Sequence, residues 1–109
     1  MTASAEITHL SLLLIAHFIG DFVLQSHWMS VNKSSNWKAL AAHVAVYGAC
    51  LTPFGLLFAL ANAAIHGAVD AVTSRITKRL WLAQRWHYFF LVIGADQLTH
   101  YLCLLWVKP

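Results

Sequence analysis

Leu10-Ser-Leu-Leu-Leu-Ile-Ala-His17-Phe-Ile-Gly-Asp21-Phe-Val-Leu-Gln25 is the stretch whose reading decides the fold. Extended to Glu6–Ser26, it supplies the roughly 20 mostly apolar residues that a helix needs to cross a bilayer. Its apolar run ends in a histidine and an aspartate one helical turn apart, so the span carries chemistry as well as grease. The leader ahead of it, Thr2-Ala-Ser-Ala-Glu6, has no basic residue, and no small-residue cleavage site follows the run. It therefore reads as a retained helix rather than a secretory signal.

The same pattern recurs along the 109 residues. A second apolar run covers Trp37–Leu51 and ends at Thr52-Pro-Phe-Gly55, where proline stops a helix and glycine permits a tight turn. A third covers Leu56–Ile76, the basic segment Arg75–Arg85 follows, and a fourth covers Trp86–Trp106. Trp37 to Arg75 is about 39 residues, nearly twice a bilayer at about 1.5 Å per residue, so two helices fit better than one kinked at Pro53. Hydrophobic residues make up 60% of the chain and charged ones 10%, too few charges to cover a soluble surface. No Pro-, Gly- or Ser-rich linker divides it. The expectation is all-α: one integral membrane domain over residues 1–109, a four-helix transmembrane bundle, with the short second helix tilted or the membrane thinned around it.

Orientation follows from the basic residues. Lys33 and Lys38 flank the first loop; Arg75, Lys78, Arg79 and Arg85 flank the third; the Thr52–Gly55 turn has none and the C-terminus only Lys108. The positive-inside rule puts both basic loops in the cytoplasm and both termini outside. Trp28, Trp37, Trp81, Trp86 and Trp106 fall at span ends, as interfacial aromatics do. The net charge of +3 is accounted for by these loops, and no nucleic-acid-binding motif, phosphate-cradling loop or nucleophile elbow is present.

Three of the four acidic residues, Asp21, Asp70 and Asp96, lie inside apolar spans, where each costs about 2.5–3.5 kcal/mol on the insertion scale. They must face one another, water or a cation. His17 and Asp21, and His66 and Asp70, are spaced i,i+4; Asp96 and His100 repeat the spacing in reverse, so each pair shares one helix face. His43 sits on the second span, and Gln25 and Gln97 continue the polar faces. Counted from the cytoplasmic loops, Asp21, His43 and Asp70 lie about one and a half turns in. His17, His66 and Asp96 lie about 5 Å deeper, with His100 deeper again. Four helices thus converge on one band in the cytoplasmic half of the bilayer.

Imidazole with carboxylate is the ligand chemistry of zinc, iron or manganese, and facing helices of a bundle commonly assemble it. His17, Asp21, His66, Asp70, Asp96 and His100 are the expected ligands of one or two divalent ions, zinc first. His43, the histidine without an aspartate partner, is the expected proton carrier. Gln25, Gln97, Asn32 and Lys33 are placed to orient ligands or substrate. His9, His27 and His87 read as interfacial. Cys50 and Cys103 read as packing residues, with no disulfide inferable from spacing. Gly20, Gly48, Gly67 and Gly94 read as sites of close helix approach.

Taken in order, His17-Phe-Ile-Gly-Asp-Phe-Val-Leu-Gln25, Trp28-Met29, Asn32-Lys33, His43, His66-Gly-Ala-Val-Asp70 and Asp96-Gln-Leu-Thr-His100 resemble the small bacterial and phage membrane proteins of domain-of-unknown-function family 3307. That resemblance implies a membrane location and no activity. A looser likeness, in the type of constellation alone, is to membrane-bound metal-dependent hydrolases. The leading expectation is a metal-dependent hydrolase at the cytoplasmic face, acting as a monomer or homodimer on an anionic lipid or a phosphorylated substrate. The alternatives are a metal or proton carrier, a small channel, or a structural or lytic phage-type protein.

Overall fold

The computed structural model describes residues 2–106, and among them the secondary structure is entirely helical. Helix α1 (Ala3–Phe18) is capped by the Thr2 hydroxyl, which accepts from Ala5 N at 3.1 Å. It runs without a break into a π-helical turn, Ile19–Val23, closed by Leu24 N donating to Ile19 O at 2.9 Å. Ser26 caps the short α2 (His27–Asn32), and Asn36 caps α3 (Trp37–Leu51). A 3-10 turn, Thr52–Phe54, leads to Gly55 at φ 125°, a conformation only glycine adopts without strain. Helices α4 (Leu56–Leu82) and α5 (Trp86–Trp106) complete the chain.

Three segments, Ala3–Val23, Leu56–Leu82 and Trp86–Trp106, are long and apolar enough to cross a membrane. The second expected span, α3, is correctly bounded but has 15 residues, about 22 Å, against a hydrocarbon core of about 30 Å. By length alone it falls short. The third span, expected to end near Ile76, continues to Leu82: Arg75, Lys78 and Arg79 are helical residues rather than a loop. At 27 residues, about 40 Å, α4 is longer than the hydrocarbon core, so its charged turns need not lie in lipid. Lys108, assigned to the outer side from the sequence, lies outside the described residues.

The helices turn their apolar sides outward. Leu57, Ile7, Phe90, Leu91 and Leu60 are all more than half exposed, an apolar surface too extensive for a soluble monomer and suited to acyl chains. Close packing holds α3 against its neighbours. A Cβ on Gly67 would come within 3.0 Å of Val44, one on Gly48 within 3.1 Å of Ala63, and one on Gly20 within 3.3 Å of the Tyr47 backbone. Gly94 departs from the expectation: a Cβ there would meet nothing within 4 Å, so it mediates no close approach.

The interior is layered by i,i+4 steps on four helical segments. An apolar cluster of Leu13, Tyr47, Leu51, Phe58, Ala59 and Leu104 fills the half toward the Thr52–Gly55 turn. One turn from its members along each helix come His17, His43, Asn62 and His100, all buried, and then Asp21, His66, Asp70 and Asp96.

Candidate metal centre

The tightest part of the polar layer is formed by Asp21 from the π-helical turn, His43 from α3, and His66 and Asp70 from α4, which lie on one helix face. His43 Nε2 is 2.9 Å from His66 Nε2, 3.0 Å from Asp21 Oδ1 and 3.2 Å from Asp70 Oδ2. His66 Nε2 is 3.4 Å from each of those two oxygens. Four lone-pair-bearing atoms therefore crowd together, and two imidazoles have too few hydrogens to bridge all five contacts. Tetrahedral ligands at about 2.0–2.1 Å from an ion stand about 3.3 Å from one another. The observed separations of 2.9–3.4 Å bracket that figure. These buried groups can hold a metal ion.

His43, expected as the proton carrier because it has no aspartate partner on its own helix, points its Nε2 into the cluster, and its Nδ1, like that of His66, is buried without a hydrogen-bond partner. His17 lies one turn back. Its Nε2 is 3.0 Å from Gln97 Oε1, an acceptor, so Nε2 carries the hydrogen, and Nδ1 accepts from the Tyr47 hydroxyl at 2.8 Å. That tautomer fixes the Gln97 amide, whose Nε2 donates to Asp21 Oδ2 at 3.1 Å and to Asp96 Oδ2 at 3.2 Å. A chain from Tyr47 through His17 and Gln97 thus holds Asp21 in place, while His17 Nε2 stays 3.7 Å from that carboxylate. Tyr47 was not singled out from the sequence, although it sits four residues after His43 and so shares its face.

His100 and Asp96 form a second edge of the cluster, with His100 Nδ1 3.6 Å from Asp96 Oδ2. Asp96 Oδ1 accepts from the Thr73 hydroxyl at 2.7 Å. Lys33, carried in from α2, donates to Asp70 Oδ2 at 3.2 Å and supplies a positive charge beside the carboxylates. Gln25 lines a cavity of about 190 Å³ beside the cluster, together with Lys33, Thr73, Ser74, Asp96 and Gln97. Asn32 does not take part: its amide donates to Trp28 O at 2.9 Å. Thr73 and Ser74, absent from the sequence reading, reach the cavity because α4 stays helical beyond Asp70. His9 packs edge-on against Phe54, away from the cluster, and Cys50 and Cys103 are free.

Comparison with curated proteins and with solved structures returned no match, so the looser likeness to metal-dependent hydrolases gains no support there. A family model described as a protein of unknown function (DUF3307) matches residues 9–108, which include every member of the cluster, and the chain belongs to that family.

Proposed function

We propose that this chain is a four-span protein of the bacterial cytoplasmic membrane and a metal-dependent hydrolase, acting from the cytoplasmic side on a phosphate- or ester-containing, lipid-like substrate. Its divalent ion, zinc or alternatively manganese or iron, would be held by Asp21, His43, His66 and Asp70. The convergence of those four ligand atoms at tetrahedral spacing carries this reading. His43, the proton carrier of the sequence reading, serves here as a ligand.

Such an ion lowers the pKa of bound water and polarises the scissile group. For a phosphate ester, the water oxygen bonds to phosphorus, the bond from phosphorus to the ester oxygen breaks, and the departing oxygen takes the proton the water sheds. The cavity lies against Asp21 and Asp70, so water and substrate reach the carboxylate side of the centre while both histidines stay buried behind it. Asp96 lines the same cavity with His100 buried behind it, and Lys33 with Gln25 and Gln97 would orient the anionic group. A through-channel is disfavoured because the apolar cluster from Leu13 to Leu104 fills the other half of the interior.

Elemental mass spectrometry on detergent-purified wild type beside an Asp21→Asn/Asp70→Asn double variant tests the centre. One or two ions per chain, lost in the variant, support it; a folded wild type that takes up no metal on reconstitution overturns it. Metal-loaded protein that cleaves no phosphate or carboxylic ester would leave a carrier or a structural protein. Single cysteines at Ser35, Thr52 and Gln84 test the topology: labelling of Ser35→Cys and Gln84→Cys from the cytoplasm and of Thr52→Cys from outside is expected, and any other pattern removes the four-span arrangement.

A further inference from the structure

His100 is 1% exposed, and neither of its ring nitrogens has a hydrogen-bond partner. Leaving such a group unsatisfied in a buried site costs about 1–3 kcal/mol. It is not far from acceptors, however. Nδ1 is 3.6 Å from Asp96 Oδ2 and 3.9 Å from Asp21 Oδ2, and Nε2 is 4.0 Å from Asp70 Oδ1. These gaps are too wide for hydrogen bonds and of the size that an intervening ion spans.

Asp21 and Asp70 each divide their oxygens. Asp21 Oδ1 and Asp70 Oδ2 face His43 and His66, whereas Asp21 Oδ2 and Asp70 Oδ1 face His100. A carboxylate that presents one oxygen to each of two positions is a bridging ligand, the usual bond between ions about 3.5–4 Å apart in two-metal sites. We propose that His100, Asp96 and the second oxygen of Asp70 form a second divalent-cation site, filled together with a phosphomonoester dianion. This rests on the reading of the first centre given above.

Formal charge couples the two events. Asp21, Asp70 and Asp96 contribute three negative charges; Lys33 and one divalent ion contribute three positive ones, so the singly loaded site is neutral. A second divalent ion leaves two positive charges in a low-dielectric interior, where uncompensated charge is costly. A phosphomonoester dianion restores neutrality, and a singly charged diester or a neutral ester does not. The cavity of about 190 Å³ gives the phosphoryl group room beside Lys33, Thr73 and Ser74. The wider spacing around His100 makes this the weaker of the two sites.

The test is manganese binding by the full chain in neutral-lipid nanodiscs at pH 8, by equilibrium dialysis and electron paramagnetic resonance. It is run without addition, with inorganic phosphate, and with phosphatidic acid in the disc. One ion per chain is expected alone and two with a phosphoryl group, the pair giving an exchange-coupled spectrum. His100→Asn should lose the second ion and keep the first, which also reports that the variant has folded. A rise with inorganic phosphate identifies a soluble phosphomonoester; a rise with phosphatidic acid only identifies a lipid headgroup. One ion in every arm overturns the second site and leaves the first standing. Two ions without any phosphoryl group overturn the charge coupling. No ion in any arm removes the first centre and this proposal with it.

Discussion

Asp21→Asn separates a metal ligand from a structural hydrogen-bond acceptor, because the two roles predict opposite signs in the metal-free protein. The ligand atoms of Asp21 and Asp70 lie within 4.8 Å of each other. At an effective dielectric of about 20, two like charges at that distance repel by about 3.5 kcal/mol, which Lys33 offsets in part. Without metal, the asparagine relieves this repulsion while keeping the side-chain shape, so the variant should be as stable as wild type or more so. With metal, wild type gains the more. An ion at 100 times its dissociation constant stabilises wild type by about 2.7 kcal/mol. Losing a ligand weakens binding by at least the ~100-fold seen when a ligand's supporting partner is lost. At the same metal concentration the variant then gains only about 0.4 kcal/mol. The difference between the two metal responses, about 2 kcal/mol, is read by circular dichroism during unfolding in mixed detergent–SDS micelles, with the metal buffered or chelated. Equal destabilisation in both conditions would show that Asp21 serves packing and hydrogen bonding alone.

Three further outcomes are expected. Gly67→Ala should cost about 1–3 kcal/mol and weaken metal binding, since its Cβ presses on Val44 and parts α3 from α4 across the His43–His66 contact; adding Val44→Ala should restore both, measured by unfolding and metal titration. Gly55→Ala should destabilise by about 1–3 kcal/mol because of its φ of 125°, whereas Gly94→Ala, with open space around it, should be neutral or stabilise by up to about 1 kcal/mol in the same assay. Tyr47→Phe should cost about 1–3 kcal/mol by leaving His17 Nδ1 unsatisfied and should weaken metal binding through Gln97, whereas Tyr101→Phe should do neither.

The polar band was legible because insertion energetics make an intramembrane aspartate conspicuous, and because i,i+4 spacing places His66 beside Asp70 on a helix whatever its neighbours do. The limits of α3 and the start of α5 were legible for a related reason: Asn36, the Thr52–Gly55 turn and Arg85 mark where the apolar runs end. The C-terminal extension of α4 was hidden, since hydropathy stops at Arg75 while Ile76, Lys78, Arg79, Leu80 and Trp81 remain good or acceptable helix formers. The π-helical turn was hidden too. Nothing in Ile-Gly-Asp-Phe-Val distinguishes a turn closed by an N–H on the carbonyl five residues back from an ordinary turn. The contacts of His43 were hidden because absence of a partner on its own helix says nothing about partners on others; Asp21 and Asp70 approach it from two different segments. Lys33 reaches Asp70 only because α2 folds back, which no local pattern encodes.

Asp21 takes its polar contacts from α3, α4 and α5, every one of which is made after it. During synthesis the first helix therefore has to enter the membrane, or wait at its surface, while its carboxylate has only His17, 3.7 Å away on the same helical segment, beside it. Because Asp21 falls in the last turns before the polar stretch, waiting at the membrane surface with that end in the headgroups is the cheaper course. The helix can settle to its final depth only when α4 and α5 have arrived. Biogenesis of this protein thus has a fixed order: the helix that begins the chain is the last to be seated, and completion of the cluster is the event that seats it.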